Sequence, residues 1–324
     1  FVGRSFSSDI SAIHLQGALA PEGARQAPWR GLPNQDRPIR AEVSLVSVIA
    51  SVLDKDARPV PDLPKDAFEV YEEGVKQRVE IFEAETQQPL DLALMIDSSL
   101  STLKELSFEK EAAARFIRQI VRPTDRLAVF EVTDMVSQLA EFSSNVPRLE
   151  AAVARVEVGG GAPLYDALVL GSEALEKRPA GRRRVIVMVT DAGETTSRAK
   201  FEDARRAALA AGTMLYTILI NAVKTEGGRN TAGEHALLTI TEVTGGNIYY
   251  PQTAADLNAI FDRMDRELRT QYRLGYYPTP RPPQSATAVF RRIEVRVHPP
   301  AASGAAAPSE FTIHHRRGYF TATP

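Results

Sequence analysis

The 324-residue chain contains no cysteine. Disulfides, thiolate nucleophiles and cysteine-ligated zinc are therefore excluded. Neither sign of charge is in excess: 39 Lys and Arg face 41 Asp and Glu, for a formal net charge of −2. No general field draws such a chain to nucleic acid or to an anionic membrane. Long apolar runs are missing too, and none approaches the roughly 18 residues of a membrane span. Several enzyme signatures are absent. No glycine run leads into Gly-Lys-Ser/Thr, no Gly-x-Ser-x-Gly elbow occurs, and no strand precedes Gly-x-Gly-x-x-Gly. The five histidines, His14, His235, His298, His314 and His315, show no His-Glu-x-x-His spacing. They read as isolated surface or core residues, with His314 and His315 pointing to opposite faces of a strand.

What is present reads as a globular protein, with 44% hydrophobic and 25% charged residues, enough to bury a sizeable core. The length suggests two domains. Residues 1–40 are weakly periodic and rich in Ser, Gly, Ala and Pro, as in an extended arm or linker, and they hold the sole tryptophan, Trp29. A first residue other than Met fits a processed product. Residues 41–85 are β-rich. Segments 68–71 and 77–82 flank Glu72-Glu73-Gly74, a hairpin signal. Residues 271–324 mirror them, with strands expected at 271–277, 289–297 and 311–320. Packing the two ends together gives one small β-sandwich. The segment at 86–270 is then an insertion between its halves.

That inserted segment alternates strand and helix, which predicts an α/β, doubly wound and mostly parallel sheet. Helices are expected at 105–121, 163–176, 199–211 and 234–243. Another begins near Thr253 with a stripe of Leu257, Ile260, Phe261, Met264 and Leu268. Segment 136–142 reads as a short antiparallel edge strand. Arg182-Arg183-Arg184, before a strand, reads as a solvated loop.

The chemistry concentrates where apolar strands end. Residues 92–96 are apolar without alternation, so the strand is buried on both faces. It ends in Asp97-Ser98-Ser99-Leu100-Ser101. Ligands of open α/β sheets bind outside the carboxyl ends of strands. Asp97, Ser99 and Ser101 offer hard oxygens at alternate loop positions, suited to Mg²⁺ or a similar cation. An Asx-turn or helix cap is the plainer role for Asp97. A second apolar strand, 185–189, ends in Thr190-Asp191-Ala192-Gly193-Glu194. Between them lies Gly159-Gly160-Gly161-Ala162-Pro163-Leu164-Tyr165-Asp166, where the glycines permit close backbone approach. Asp166 reads as a brace at a helix N-terminus, and Glu194 as solvated. An aspartate nucleophile of the phosphotransferase kind wants a second Asp two residues on, where Ser99 stands.

Asp-x-Ser-x-Ser after a buried strand, with the glycine loop and the later Thr-Asp, resembles the metal-ion-dependent adhesion site of the von Willebrand factor type A family. The resemblance covers about residues 89–270 and implies a Rossmann-like domain. It implies Asp97, Ser99, Ser101 and Asp191 as ligands of Mg²⁺, Mn²⁺ or Ca²⁺. Ala162 stands where the family places a Thr, so one oxygen ligand is missing. The arrangement of strands around the domain, with Arg317-Gly318-Tyr319-Phe320 at the end, resembles a group of bacterial secreted proteins. The implied function is a non-enzymatic, extracytoplasmic adhesion module that captures a carboxylate of a protein partner. The other reading left open is a structural subunit of an extracytoplasmic assembly with a vestigial metal site.

Overall fold

The computed structural model describes residues 45–84, 87–100, 106–220, 231–253, 255–279, 288–298 and 311–321. The arm at 1–40 and Ser101 lie outside the described residues. Strands β1 (Val46–Leu53), β2 (Phe68–Glu72), β3 (Val75–Gln77) and β4 (Val79–Glu83) come first. The middle runs β5 (Leu90–Asp97), α1 (Leu106–Ile120), β6 (Arg126–Val132), β7 (Val136–Ser143), α2 (Val146–Ala154) and α3 (Leu164–Glu176). It continues through β8 (Arg183–Thr190), α4 (Phe201–Ala211), β9 (Thr213–Leu219), α5 (Thr231–Thr244), β10 (Ile248–Tyr249) and α6 (Asp256–Arg269). Strands β11 (Tyr272–Tyr276), β12 (Phe290–Val297), β13 (Thr312–His315) and β14 (Gly318–Phe320) follow.

The central six-stranded sheet has the order β10-β9-β8-β5-β6-β7. It is parallel except for β7, which lies antiparallel at one edge. The fold is thus mixed α/β, with a mostly parallel sheet wound on both faces. Strand β5 sits in the interior of this sheet with all eight residues buried, as its unbroken apolar run requires. Leu90, Leu92, Leu94 and Ile96 pack with Phe116, Leu149 and Phe261 of α1, α2 and α6. Ala93 and Met95 face α3, α4 and α5 on the other side. Each such Leu or Ile contributes about 1.5–3 kcal/mol when fully buried. The stripe expected on α6 is wholly within the first of these cores. Asn145 caps α2 by accepting from Arg148 N at 3.0 Å. Among the described residues, no helix is long and apolar enough to cross a membrane.

Strands from both ends of the chain share two further sheets, β13-β1-β11-β4 and β14-β12-β2-β3, paired antiparallel. One core joins them, with Val48 and Ala50 of β1, Tyr272 and Leu274 of β11, Val70 of β2 and Val295 of β12. Two single strands expected from sequence are each divided. Residues 77–82 break at Arg78, and residues 311–320 break at Arg316 and Arg317. In each case the chain leaves one sheet and joins the other. Such corner crossings preserve the alternation of apolar residues, so the pattern alone reads as one strand.

His315 is 1% exposed, inside the sandwich side of the molecule. Its Nε2 accepts from Val295 N at 3.2 Å and its Nδ1 donates to Arg316 O at 2.8 Å. Burial pushes its pKa down to about 4. A depressed folded pKa stabilises the protein above the unfolded value of about 6.5, and that stability is lost as pH falls through about 4. Urea unfolding is expected to show a loss of about 2–3 kcal/mol from this one group between about pH 7 and pH 4.5. His315→Gln should flatten the slope over that window. An unchanged slope would show that His315 is not the titrating group.

Candidate functional site

The site forms where β5 and β8, neighbours in the sheet, reach their carboxyl ends. Ile96 pairs with Val189, which brings Asp97 level with Thr190. Thr190 Oγ1 donates to Asp97 Oδ2 at 2.5 Å and accepts from Ala192 N at 2.9 Å. Asp97 Oδ1 accepts from Ser99 N at 3.1 Å, which is an Asx-turn. The plainer role considered for Asp97 is therefore present. Both oxygens are hydrogen-bonded, and Asp97 is only 1% exposed.

That burial has an electrostatic consequence. Desolvation raises the Asp97 pKa to about 6, and the negative charge of Asp191 adds to the rise. The hydrogen bonds from Thr190 and Ser99 oppose it without cancelling it. The negative charge of Asp191 thus acts on the buried Asp97 carboxyl at this rim. Asp191 is half-buried and accepts from Gly193 N at 2.8 Å. The following residue, Ala192, has φ of 64°.

The glycine loop docks onto the same rim. Gly159 N donates to Ser98 O at 2.9 Å, and Gly159 forms a parallel bridge with Ser99. A Cβ on Gly159 would lie 2.5 Å from Thr133 Cβ, and one on Gly160 would lie 2.8 Å from Asp134 Oδ1. The close approach these glycines allow is therefore to the turn between β6 and β7. Ala162 is 1% exposed. Its N donates to Thr195 Oγ1 at 2.9 Å, and its O accepts from Thr195 N at 3.2 Å. The second and third loops are tied together, and a threonine hydroxyl stands beside the alanine.

Asp97, Ser99 and Asp191 are brought to one rim, and Ser101 lies outside the described residues. Glu194 is not a solvated bystander. Its Oε2 accepts from Tyr165 N at 3.1 Å and from Ser197 Oγ at 2.8 Å, so it caps α3. The reason is that α3 begins without a capping side chain of its own, after Pro163. Asp166 is a brace, accepting from Arg198 N and Ala199 N. The sequence reading missed Thr190 as a partner of Asp97 and Thr195 as a partner of Ala162. The end of β8 pointed to the first; nothing local marked the second.

The oxygen chemistry fits a hard divalent cation: a desolvated carboxylate, a second carboxylate nearby and serine hydroxyls. Among the described residues, no group of three or more His, Asp or Glu side chains is placed to hold a metal, so any such site depends on hydroxyls.

Residues 92–194 match the family model of the von Willebrand factor type A domain. The segment from β5 to the loop after β8 is therefore a type A domain. No curated protein matches the chain. Among solved structures, a von Willebrand factor type A protein from Catenulispora acidiphila is 11% identical, with 85% of this chain and 74% of that one covered and a TM-score of 0.49. The type A domain of the type V pili tip protein Mfa5 from Porphyromonas gingivalis is 12% identical, covering 56% and 95%, with a TM-score of 0.45. An aerotolerance-related membrane protein from Bacteroides fragilis is 14% identical, covering 55% and 98%, also with a TM-score of 0.45.

Proposed function

We propose that the chain is a non-enzymatic protein-binding module that works outside the cytoplasm. It recognises an acidic side chain of a partner protein through a divalent cation. Asp97, Ser99, Ser101 and Asp191 are the residues that would hold Mg²⁺, or Mn²⁺ or Ca²⁺ in its place. When bound, the cation supplies a positive charge with an exchangeable position for the partner's carboxylate.

The observation that carries this reading is the desolvated Asp97 carboxylate beside the charge of Asp191. A buried carboxylate with a like-charged neighbour is costly unless a cation offsets it. Leu100 and Met135, 64% and 68% exposed, flank the same loops and offer apolar contact to a partner.

Ala162 favours a second reading, a structural subunit whose metal site has decayed. Calorimetric titration with Mg²⁺ and Mn²⁺ separates the two. Saturable binding that Asp97→Ala abolishes supports the cation-centred module. No heat up to millimolar metal supports the structural subunit. Ala162→Thr, which restores an oxygen, is expected to tighten Mg²⁺ binding by about tenfold, or about 1.4 kcal/mol. Unchanged affinity in a folded variant would place the glycine loop away from the cation.

A further inference from the structure

At the opposite end of the central sheet lies a cavity of about 240 Å³, between the α/β domain and the sandwich. Five arginines line it: Arg182, Arg183 and Arg184 at the start of β8, Arg273 on β11, and Arg316 after β13. Among the described residues, none of those lining it is acidic. The arginine triplet is thus a wall of a cavity rather than a solvated loop.

The positive charge in this wall is only partly matched. Arg182 pairs with Asp91 at 2.8 Å, and Arg273 pairs with Glu83 at 2.7 Å. The other three guanidinium groups donate to uncharged oxygens. Arg183, 4% exposed, donates to Gln88 O at 3.0 Å, Gln271 Oε1 at 2.9 Å and Leu268 O. Arg184 donates to Ala211 O at 2.7 Å and Glu176 O at 3.1 Å, and Arg316 to Ser47 O at 2.7 Å. Among the described residues, none of these three has a carboxylate within ion-pair distance. Burial draws the Arg183 pKa down to about 10, which still leaves it charged at neutral pH.

Among the described residues, Arg182 Nε, Thr213 Oγ1 and Arg316 Nε are buried without a hydrogen-bond partner, and all three residues border this cavity. Thr213 is only 2% exposed. Buried donors without partners mark a missing acceptor. A guanidinium group matches the oxygens of a tetrahedral anion two at a time. The volume lies below the roughly 300–1,000 Å³ of pockets that take drug-sized ligands. It suits an oxyanion with a few waters and not a nucleotide.

We propose that this cavity binds a small multivalent oxyanion, a phosphate or sulfate group, which bridges the α/β domain and the sandwich. The site is independent of Asp97 and of any cation there. Calorimetric titration of the full chain with inorganic phosphate, in chloride buffer of matched ionic strength, is expected to show saturable one-site binding. Phosphate should also raise the melting temperature, as any ligand of the folded state does. Arg184→Gln and Arg316→Gln should each weaken phosphate by about tenfold or more. Thr213→Val keeps the shape, removes an unpaired buried hydroxyl, and should weaken phosphate several-fold without lowering the melting temperature. It keeps the test decisive if the arginine variants fail to fold. Phosphoserine, titrated in parallel, distinguishes a free ion from a phosphate group carried on a larger molecule. No saturable phosphate heat with the wild-type chain overturns the proposal. So does phosphate affinity unchanged in Thr213→Val and in every folded arginine variant.

Discussion

Asp97→Asn is expected to raise the melting temperature in EDTA at about pH 7.5 and to remove any response to Mg²⁺. The folded pKa of Asp97 is raised to about 6 by desolvation, well above the ordinary carboxylate range. The group therefore contributes stability that is fully present below about pH 3.8 and is lost as pH rises through about 6. Above that, the folded protein holds a charge that the unfolded chain would solvate freely, at a cost of about 3 kcal/mol. Asparagine carries no charge. Its oxygen can still accept from Ser99 N, and its amide can donate to Thr190 Oγ1 in place of the bond that Thr190 now gives. Allowing about 1 kcal/mol for the exchanged hydrogen bond leaves a net gain of about 1–2 kcal/mol. The gain should shrink to nothing below about pH 4, where the wild-type carboxyl is neutral in both states. Thermal melts of both proteins across this range, with EDTA and with millimolar MgCl₂, provide the check. A variant less stable than wild type in EDTA near neutral pH would mean that the carboxylate stabilises the site without a cation. The His315 effect has the opposite sign between about pH 4 and 6, so each variant is compared with wild type at the same pH.

Gly245→Ala is the second large effect, a destabilisation of about 3 kcal/mol or more. Gly245 ends α5 with φ of 81°. An added Cβ would lie 2.3 Å from both Arg316 N and the carbonyl carbon of His315. Those are backbone atoms of the β13–β14 crossing, which cannot swing away as a side chain tip can. The crossing is also bonded to the helix end, because Arg317 N donates to Val243 O at 2.9 Å. Gly212→Ala supplies the contrast. Gly212 ends α4 with φ of 63°, and a Cβ there would meet nothing within 4 Å. Only the conformational cost remains, about 1 kcal/mol. Urea unfolding of the two variants separates strain from collision. Equal losses would mean that the sandwich yields to the added methyl group.

The α/β segment was legible because its signals are local. The run ending at Asp97 has no polar alternation, so a doubly buried strand followed. The stripe from Leu257 to Leu268 marked the buried face of α6. The rim of the candidate site was legible for the same reason, since Asp97, Ser99 and Asp191 follow apolar strands directly. Glu194 was misread because its role depends on the uncapped start of α3, nearly thirty positions earlier in the chain. The strands at 77–82 and 311–320 were misread because a corner crossing changes the partner without changing the pattern.

By itself, then, the sequence determined which stretches are strands or helices, which faces are apolar, and which oxygens end the central strands. These are properties of near neighbours, set by side-chain spacing and backbone preference. Only the tertiary structure decided that Asp97 is desolvated beside Asp191, and that Gly245 touches the far end of the chain. It also decided that three consecutive arginines meet two distant ones around a cavity that, among the described residues, no acid lines. Burial and electrostatic fields are sums over groups far apart in sequence, and no periodicity carries them.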